Sequence, residues 1–471
     1  MLGLMKMSKH LKISQIYLVY CLVLFQILCD EAFARDPYKG QTIFKLLPKT
    51  AADRKLIRDL TLKPGYTGLH VNAVHGRLLC VMVAYECIKE FLHIIAKIGA
   101  LIICKVGNVE KMLAEARVLK QSSRRTRSLQ LSWYKYYRGK DINNYLDQLA
   151  AKYHKTVTVV NKCKSFEKRT MKTIKITKGD GIKKRLIVID AGIHAREWIA
   201  PATALYIIHQ LVQKANENED LLRSFDFLIL PLVNPDGYEY SHKSERFWRK
   251  TRSNPKSKCP GVDANRNYDY KWGVCGTSKD PCDEIYLGKE PFSEPESRCV
   301  RDLLLSAKGV GIFYLSLHSY GPYILYPWGW KSGSPDSRSH KTFEKIAMAG
   351  VDAVKKLSGR EYLHGSSGEL LYTASGASDD YAYAIAKFPI SMTFELEGND
   401  RGFDPPPDQI PNITKESWTC IRAMFLETGK IFKLRSDRKL RNSATSEFYA
   451  VRWKFLTGLS TVYVGMVSTN L

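Results

Sequence analysis

The strongest constraint on the fold of this chain is a set of four apolar, β-branched runs that alternate with helical segments. The runs cover residues 185–193, 225–233, 309–317 and 388–396. Continuous apolar runs of this length are typical of strands that are buried on both faces of a sheet. A segment with helical periodicity, 198–215, follows the first run. The alternation predicts an α/β fold in which helices cover both faces of a sheet.

Each of the four runs ends in polar residues. They are His194 and Glu197, Asn234 and Asp236, His318 and Tyr320, and Glu395. Ligands of such sheets gather at the carboxyl ends of the strands. We therefore expect the chemistry of this protein to lie at one edge of the sheet.

Three of these side chains can form a metal site. His194 and Glu197 are three residues apart where a strand enters a helix, and His318 can approach from another strand end. Two histidines and a glutamate make a catalytic zinc site with one position left for water, and Glu395 could act there as a general base. Taken alone, the short H-x-x-E spacing also arises by chance. Surface or core histidines and a buried, ion-paired glutamate are the alternatives.

The N-terminus predicts secretion. Lysines precede the apolar run 13–29, and Ala32-Phe33-Ala34 is typical of a signal-peptidase site, so residues 1–34 are predicted to be a signal peptide. An uncleaved membrane anchor is the alternative. Residues 92–106 are also apolar, but two lysines interrupt them, which favours a buried helix and strand. We expect an extracellular protein without a membrane span after removal of the signal.

The cysteine content agrees with an oxidising compartment. The chain has 11 cysteines, of which nine follow the predicted signal. This odd number requires at least one free or intermolecular thiol. No pair of C-x-x-C motifs suggests a structural zinc site, so the sequence predicts disulfides, with their pairing left open.

Composition excludes global disorder and describes a basic globular chain. Of the 471 residues, 45% are hydrophobic and 25% are charged. The length predicts two or three domains. The net charge of +25 favours acidic partners, so weak polyanion binding could accompany the main function. No nucleic-acid motif is present, and we expect no nucleic-acid partner.

A basic cluster, Arg124-Arg125-Thr126-Arg127, follows a predicted helix near 109–119. It lacks apolar periodicity, as an exposed linker does, and it offers three arginines to a trypsin-like protease. The cluster predicts a cleavage site, with a plain basic loop as the alternative.

Seven segments resemble one enzyme family, in the order and spacing of that family. They are GIHAREWIAPATA (192–204), LVNPDGYEY (232–240), FWRKTRS (247–253), GVDANRNYDYKWG (261–273), YLSLHSYGPYILYPWG (314–329), LYTASGASDDYAYA (371–384) and TFELEG (393–398). Residues 128–433 are similar to the secreted zinc metallocarboxypeptidases of the pancreatic A/B type. The resemblance implies a catalytic domain with a mixed, twisted β-sheet and helices on both faces.

The same resemblance implies that residues 35–127 are a small α+β prosegment that inhibits the enzyme, so the chain would be a zymogen. A trypsin-like protease would cut in the basic cluster, at Arg124, Arg125 or Arg127. Residues 60–104 match the prosegment of the family poorly and carry three cysteines, so we expect a departure from its fold there. Residues 434–471 are a basic C-terminal extension of unknown role.

The resemblance also implies which residues carry the reaction. His194, Glu197 and His318 would bind one Zn²⁺. Glu395 would activate the zinc-bound water as general base and later protonate the leaving amine. Arg249 would stabilise the oxyanion that forms in the transition state.

The resemblance also implies a set of residues that would bind the substrate. They are Arg196, Asn265, Arg266, Ser319, Tyr320 and Tyr372. Asn265 and Arg266 would capture the free C-terminal carboxylate and Tyr372 would close over the bound residue, so the enzyme would be an exopeptidase. Asp263 would orient the imidazole of His194.

Asp379 would decide the specificity. It falls at the base of the side-chain pocket, where A-type enzymes have an apolar residue and B-type enzymes an aspartate. A buried carboxylate favours a cation, so peptides or proteins ending in Lys or Arg are the predicted substrates; Ser367 and Gly329 in the expected wall agree. The alternatives are that Asp379 caps a helix beginning near Asp380, and that the enzyme prefers apolar ends.

Two further implications concern a disulfide and the class of protein. Cys259 and Cys282 would be joined around an active-site loop.

A secreted binding protein that keeps the fold without catalysis is the alternative outside the class. Such a protein should have lost a ligand or catalytic residue, and none is missing.

Overall fold

The structure is a computed structural model that describes residues 38–61, 63–70, 78–118, 131–398 and 401–434. The chain divides into two compact units, Met1–Arg125 and Thr126–Leu471. The predicted signal peptide, the basic cluster with its three predicted cleavage sites, and nearly all of the predicted C-terminal extension lie outside the described residues.

The described part of the first unit is a four-stranded antiparallel sheet with three helices. Its elements are β1 (Thr42–Leu47), α1 (Ala51–Leu60), β2 (Tyr66–His70), β3 (Leu79–Val83), α2 (Ile88–Ile98), β4 (Leu101–Val106) and α3 (Val109–Val118). The strand order is β2-β3-β1-β4. Helix α1 begins at a capping box, in which Thr50 and Asp53 each accept a backbone hydrogen bond from the other. Phe44, Leu79 and Phe91 are fully buried between the sheet and its helices.

The apolar stretch 92–106 only partly follows the sequence prediction. Its first half lies in α2, where Ile95 is buried. Its second half is β4, and there the prediction of a buried strand is wrong, because Leu101, Ile102 and Ile103 are exposed. Strand β4 is at the edge of the sheet, where a neighbouring strand covers one side only.

The second unit contains eight strands and nine α-helices in its described part. The strands are β5 (Val157–Lys164), β6 (Thr170–Ile176), β7 (Arg185–Ala191), β8 (Phe225–Leu230), β9 (Gly311–Ser319), β10 (Tyr323–Tyr326), β11 (Leu363–Ser366) and β12 (Ile390–Leu396). The helices are α4 (Gly139–Lys152), α5 (Ile199–Val212), α6 (Glu219–Ser224), α7 (Pro235–Lys243), α8 (Pro295–Ser306), α9 (Ser337–Ser358), α10 (Ser367–Leu370), α11 (Ser378–Ala384) and α12 (Ile410–Ile431). The four strands predicted from apolar runs are β7, β8, β9 and β12, which confirms them.

The eight strands form one mixed sheet in the order β11-β10-β12-β9-β7-β8-β6-β5. The four central strands, β12, β9, β7 and β8, are parallel neighbours. Strands β6 and β5 continue the sheet in antiparallel fashion on one side, and β10 pairs antiparallel with β12 on the other. The carboxyl ends of the parallel strands therefore meet at one edge, as the sequence predicts.

Helices cover both faces of this sheet, which confirms the predicted α/β class. In β7, Ile187 and Ile189 pack in the core that contains α5, α9 and α12. Leu186 and Val188 point to the opposite face and pack in the core that contains α8 and α11. Because successive side chains of a strand alternate between faces, burial of both faces favours apolar residues along the whole strand.

Two disulfides join parts of the second unit. Cys259 is bonded to Cys282, the pair that the resemblance implies, and Cys163 is bonded to Cys299, a pair that the sequence left open. None of the helices within the described ranges is both long and apolar enough to cross a bilayer.

Candidate active site

The three predicted metal ligands meet at the carboxyl ends of β7 and β9. His194 and Glu197 lie between β7 and α5, and His318 lies near the end of β9. Nδ1 of His194 is 2.7 Å from Glu197 Oε1. Nδ1 of His318 is 3.2 Å from Glu197 Oε2 and 3.2 Å from Nδ1 of His194. The three ligand atoms all lie within 4.8 Å of one another.

This donor set fits a zinc ion. Both histidines present Nδ1 to the same carboxylate, and all three side chains are buried. Burial alone would raise the pKa of Glu197, but the imidazoles of His194 and His318 outweigh it and hold the pKa below its usual range. Glu197 is therefore ionised, as a metal ligand must be.

Asp263 contacts His194 at Nε2, the ring nitrogen that faces away from the metal site. Its Oδ1 is 3.2 Å from His194 Nε2, and its Oδ2 accepts from Nε and Nη2 of Arg249 at 3.0 and 2.9 Å. Burial alone would raise the pKa of Asp263, but the charges of Arg249 and Arg266 hold it well below its usual range. A histidine that donates Nε2–H to a carboxylate keeps the lone pair of Nδ1 for a metal.

Glu395 stands beside the metal ligands on the next strand. The parallel register of β12 and β9 pairs Glu395 with His318. Burial raises the pKa of Glu395 to about 7, and the carboxylate of Glu197 adds to this effect, while the charge of His318 opposes it. The carboxyl group can therefore take up and release a proton near neutral pH, as a general base must.

Asn265, Arg266 and Tyr372 form a group of polar side chains. Asn265 Oδ1 accepts from the Ser378 N–H at 2.9 Å, which leaves the amide NH₂ as a donor. The guanidinium of Arg266 donates to the Gly276 and Asn265 carbonyls at 3.0 and 2.8 Å, and to the Tyr372 hydroxyl at 3.3 Å. These contacts hold the guanidinium in place, in an arrangement that suits a carboxylate.

Asp379 is buried in the first turn of α11. Its carboxylate accepts from the Asp380 N–H at 2.9 Å and from the hydroxyls of Ser367 and Thr393 at 3.4 and 3.3 Å. The helix begins at Ser378, so Asp379 is not its N-cap residue. Burial raises the pKa of Asp379. Within the described part of the chain, Asp379 forms no ion pair with Lys or Arg.

Comparison with known proteins agrees with this site. The profile of the zinc carboxypeptidase family matches residues 142–420. Carboxypeptidase B of Helicoverpa zea is 42% identical over 320 residues, which are 66% of this chain and 74% of that protein. Carboxypeptidase B of Astacus astacus is 40% identical over 297 residues, 62% of this chain and 97% of that protein. The crystal structure of carboxypeptidase A from Helicoverpa armigera superposes with a TM-score of 0.77 at 31% identity, covering 85% of this chain and all of that one.

The chain belongs to the zinc carboxypeptidase family. It is a metal-dependent peptide hydrolase that uses one Zn²⁺ ion. The mixed sheet with helices on both faces is the fold of the family. The membership of the carboxypeptidase family that the resemblance of seven sequence segments predicts is thereby confirmed.

The remaining predicted substrate residues of the carboxypeptidase lie at or just after the carboxyl ends of β7 and β9. Arg196 is buried, donates to Glu284 Oε2 at 2.5 Å, and has its guanidinium 4.5 Å from the centre of the Phe403 ring. The Tyr320 ring meets the same Phe403 ring edge-on at 4.7 Å. Ser319 is buried at the end of β9.

Two residues of the carboxypeptidase site have no signal in the sequence. Asp380 accepts hydrogen bonds from the N–H groups of Gly329 and Trp330, and so holds the segment that follows β10 against α11. Glu284 pairs with Arg196 across a separation of 88 residues. Acidic residues are common in loops and helices alike, so only their contacts reveal these roles.

Proposed function

We propose that this zinc carboxypeptidase is a secreted zymogen that removes Lys or Arg from the C-termini of peptides and proteins. The observation that carries the specificity is the buried carboxylate of Asp379, which has hydroxyl and backbone donors but no cationic partner within the described residues. The names of relatives do not decide the matter, because they include both carboxypeptidase B and carboxypeptidase A.

The environment of Asp379 favours a cationic side chain in the substrate. Taking a carboxylate out of water costs free energy unless a charge or several donors compensate it. Ser367 and Thr393 compensate in part, and their hydroxyls can also accept hydrogen bonds from a guanidinium or ammonium group. An apolar substrate side chain would leave the carboxylate buried and poorly compensated.

The exopeptidase character would come from Asn265, Arg266 and Tyr372. The fixed guanidinium of Arg266 and the amide of Asn265 would bind the terminal carboxylate of the substrate. Tyr372, whose hydroxyl accepts from Arg266, would lie over the bound residue and exclude water. A peptide bond inside a chain offers no such carboxylate.

The hydrolysis would proceed by proton transfer through Glu395. When bound, zinc polarises the scissile carbonyl group and makes water more acidic. Glu395 would take one proton from the attacking water and later deliver it to the amine that leaves, so it would end the cycle in its starting state. Arg249, already ordered by Asp263, would donate hydrogen bonds to the carbonyl oxygen as negative charge develops there.

The domains would serve secretion and activation. Residues 1–34 would direct secretion and be removed, and residues 35–127 would inhibit the catalytic domain, residues 128–433. A trypsin-like protease would release it by cutting at Arg124, Arg125 or Arg127. The basic extension 434–471 has no assigned role in this scheme.

The first experiment incubates the full-length secreted protein with matched peptides ending in Arg, Lys, Phe or Glu, before and after trypsin, with and without a zinc chelator. Mass spectrometry should show chelator-sensitive loss of a single terminal Arg or Lys, only after trypsin. Loss of Phe instead would assign an apolar preference. Equal activity before trypsin would contradict the zymogen.

Two variants make this experiment specific. Asp379→Asn keeps the shape of the side chain and removes its charge, so kcat/KM for Arg ends should fall by about 100-fold or more. Cleavage of Phe ends should rise, because an apolar side chain then leaves no buried charge uncompensated. Glu395→Gln should abolish cleavage of every peptide while the protein retains one zinc per chain. No cleavage by zinc-loaded, correctly processed native protein would instead support a non-catalytic binding protein.

A further inference from the structure

A buried row of polar side chains lies behind the second histidine of the metal site. Tyr314, Ser316 and His318 alternate along β9, so their side chains point to the same face of the sheet. The parallel register of β7 and β9 pairs Ser316 with Asp190. All four residues are at most 1% exposed. Water does not reach these side chains, so each polar group here needs a hydrogen-bond partner within the protein.

Hydrogen bonds connect these four side chains one after another, from His318 to Tyr314. Ser316 Oγ is 3.0 Å from His318 Nε2. The same hydroxyl donates to Asp190 Oδ1 at 2.7 Å, and the Tyr314 hydroxyl donates to Asp190 Oδ2. The Asp190 carboxylate thus accepts one hydrogen bond at each oxygen from the same strand that carries the histidine.

The directions of these hydrogen bonds determine which imidazole nitrogen of His318 carries a proton. A serine hydroxyl has one proton, and Ser316 gives it to Asp190. Ser316 can then only accept from His318, so the proton of the imidazole lies on Nε2. When His318 is neutral, as a zinc ligand must be, its lone pair is therefore on Nδ1, which is the atom that faces Glu197 and His194.

The first histidine is held in the same way by different residues. His194 Nε2 lies 3.2 Å from Asp263 Oδ1, so a carboxylate receives its N–H directly. For His318 the carboxylate of Asp190 acts through a hydroxyl. Both arrangements present Nδ1 to the metal and keep the ring from rotating.

We propose that Ser316 and Asp190 are positioning residues that select the tautomer and fix the ring orientation of His318 for zinc. This inference rests on the proposed role of His318 as a zinc ligand. Ser316 contacts the imidazole at Nε2, the nitrogen opposite the one that would bind zinc, and Asp190 contacts Ser316, so both would act through the imidazole. Their removal should therefore weaken the binding of zinc itself.

The test measures zinc affinity by competition with a chromogenic chelator, in full-length protein and without any substrate. Ser316→Ala removes the acceptor of the imidazole N–H, so zinc affinity should fall by about 10- to 100-fold. Ser316→Thr keeps the hydroxyl and should restore most of that loss. Asp190→Asn removes the charge that orients the serine proton and should weaken zinc binding in the same direction.

Ser391→Ala is the matched control. Ser391 is a fully buried serine on the neighbouring strand β12, and its hydroxyl donates to the Asp379 carbonyl at 2.7 Å. Its removal costs a buried hydrogen bond of the same kind without touching His318. Its zinc affinity should equal that of the native protein. Equal weakening by Ser391→Ala and Ser316→Ala would mean general loosening of the fold and would overturn the proposal.

His318→Gln separates this proposal from the assignment of the metal site. Loss of zinc in His318→Gln together with native zinc affinity in Ser316→Ala would show that His318 is a ligand and that the positioning role is wrong. Retention of zinc by His318→Gln would overturn the ligand assignment itself. If circular dichroism shows that Ser316→Ala does not fold, the other two variants test the proposal. Asp190→Asn should then weaken zinc binding, and Ser316→Thr should not.

Discussion

The two histidines of the candidate metal site differ in charge although they lie side by side. Burial alone would lower the pKa of His318, but the carboxylate of Glu197 outweighs it and raises the pKa to about 9. For His194, burial and the charge of Arg249 lower the pKa. In protein stripped of metal by a chelator, His318 should therefore carry a proton at neutral pH, and His194 should be neutral.

We predict that zinc binding to the stripped protein releases about one proton per ion at about pH 8. The proton leaves Nδ1 of His318, because that nitrogen must give its lone pair to the metal. Below about pH 9 the apparent zinc affinity should rise roughly tenfold per pH unit, and above it the affinity should level off. Calorimetry in buffers of different ionisation enthalpy measures the number of protons.

The control for this prediction is His209→Gln. His209 lies on α5 away from the metal site, and burial lowers its pKa, so it should not contribute a proton. The variant should release the same number of protons as the native protein. A proton count near zero in the native protein would show that His318 is neutral before zinc binds.

Helices α9 and α12 show how the close packing of two elements depends on one small residue. Gly350 of α9 is buried, and a Cβ atom at this position would lie 2.7 Å from Cys420 Sγ and 2.9 Å from Met424 Cγ of α12. Both contacts are shorter than van der Waals separation. Cys420 and Met424 are fully buried, so neither can move toward solvent.

We predict that Gly350→Val lowers the free energy of unfolding by about 1 to 3 kcal/mol because it overpacks this contact. The melting temperature should fall by roughly 2 to 10 °C. Met348→Val is the control, since Met348 is on the same helix but is 47% exposed, and it should change the melting temperature little. Equal melting temperatures for native protein and Gly350→Val would mean that the helices can separate without cost.

The elements themselves were largely predictable, whereas the links between them were not. Continuous apolar runs predicted β7, β8, β9 and β12, because burial of both faces favours apolar residues along the whole strand. The disulfide between Cys163 and Cys299 could not be predicted, because it joins β5 to α8 across 136 residues. The pairing depends on where the sheet and the helix meet, and no local pattern encodes that.

At the scale of the whole molecule, one buried carboxyl group should make global stability depend on pH. Glu296, in the first turn of α8, is fully buried and accepts the Phe166 N–H at 3.0 Å. Burial raises its pKa to about 8, and the charge of Glu294 adds to the effect, while the hydrogen bond from Phe166 opposes it. The folded protein therefore keeps this group protonated at neutral pH.

We predict that Glu296→Gln flattens the pH dependence of stability between about pH 5 and pH 8. In this window the unfolded carboxyl is ionised and the folded one is protonated, so the folded state binds one more proton. The free energy of unfolding of the native protein then falls as pH rises, by up to about 1.4 kcal/mol per pH unit, until the folded group ionises above about pH 8. Glutamine stays neutral and lacks this contribution.

Urea denaturation at a series of pH values measures the effect. The native protein and Glu296→Gln should diverge with rising pH, the variant becoming the more stable. Asp302→Asn, on the exposed side of the same helix, should leave the pH profile unchanged. Parallel curves for native protein and Glu296→Gln would show that the folded carboxyl is already ionised near pH 5.

The sequence by itself determined the class of fold, the family and the residues at the strand ends. Apolar periodicity and motif spacing are properties of residues that are close in the sequence, so they can be recognised without knowing how the protein packs. These local patterns led to His194, Glu197, His318 and Glu395 as a group.

Only the tertiary structure decided how these residues are supported. The hydrogen bonds from Asp190 through Ser316 to His318, the pair of Arg196 with Glu284, and the contacts of Asp379 all join distant parts of the chain. Such contacts depend on strand register and on helix placement. A shift of a single residue in register would turn Asp190, Ser316 and His318 to the other face of their strands.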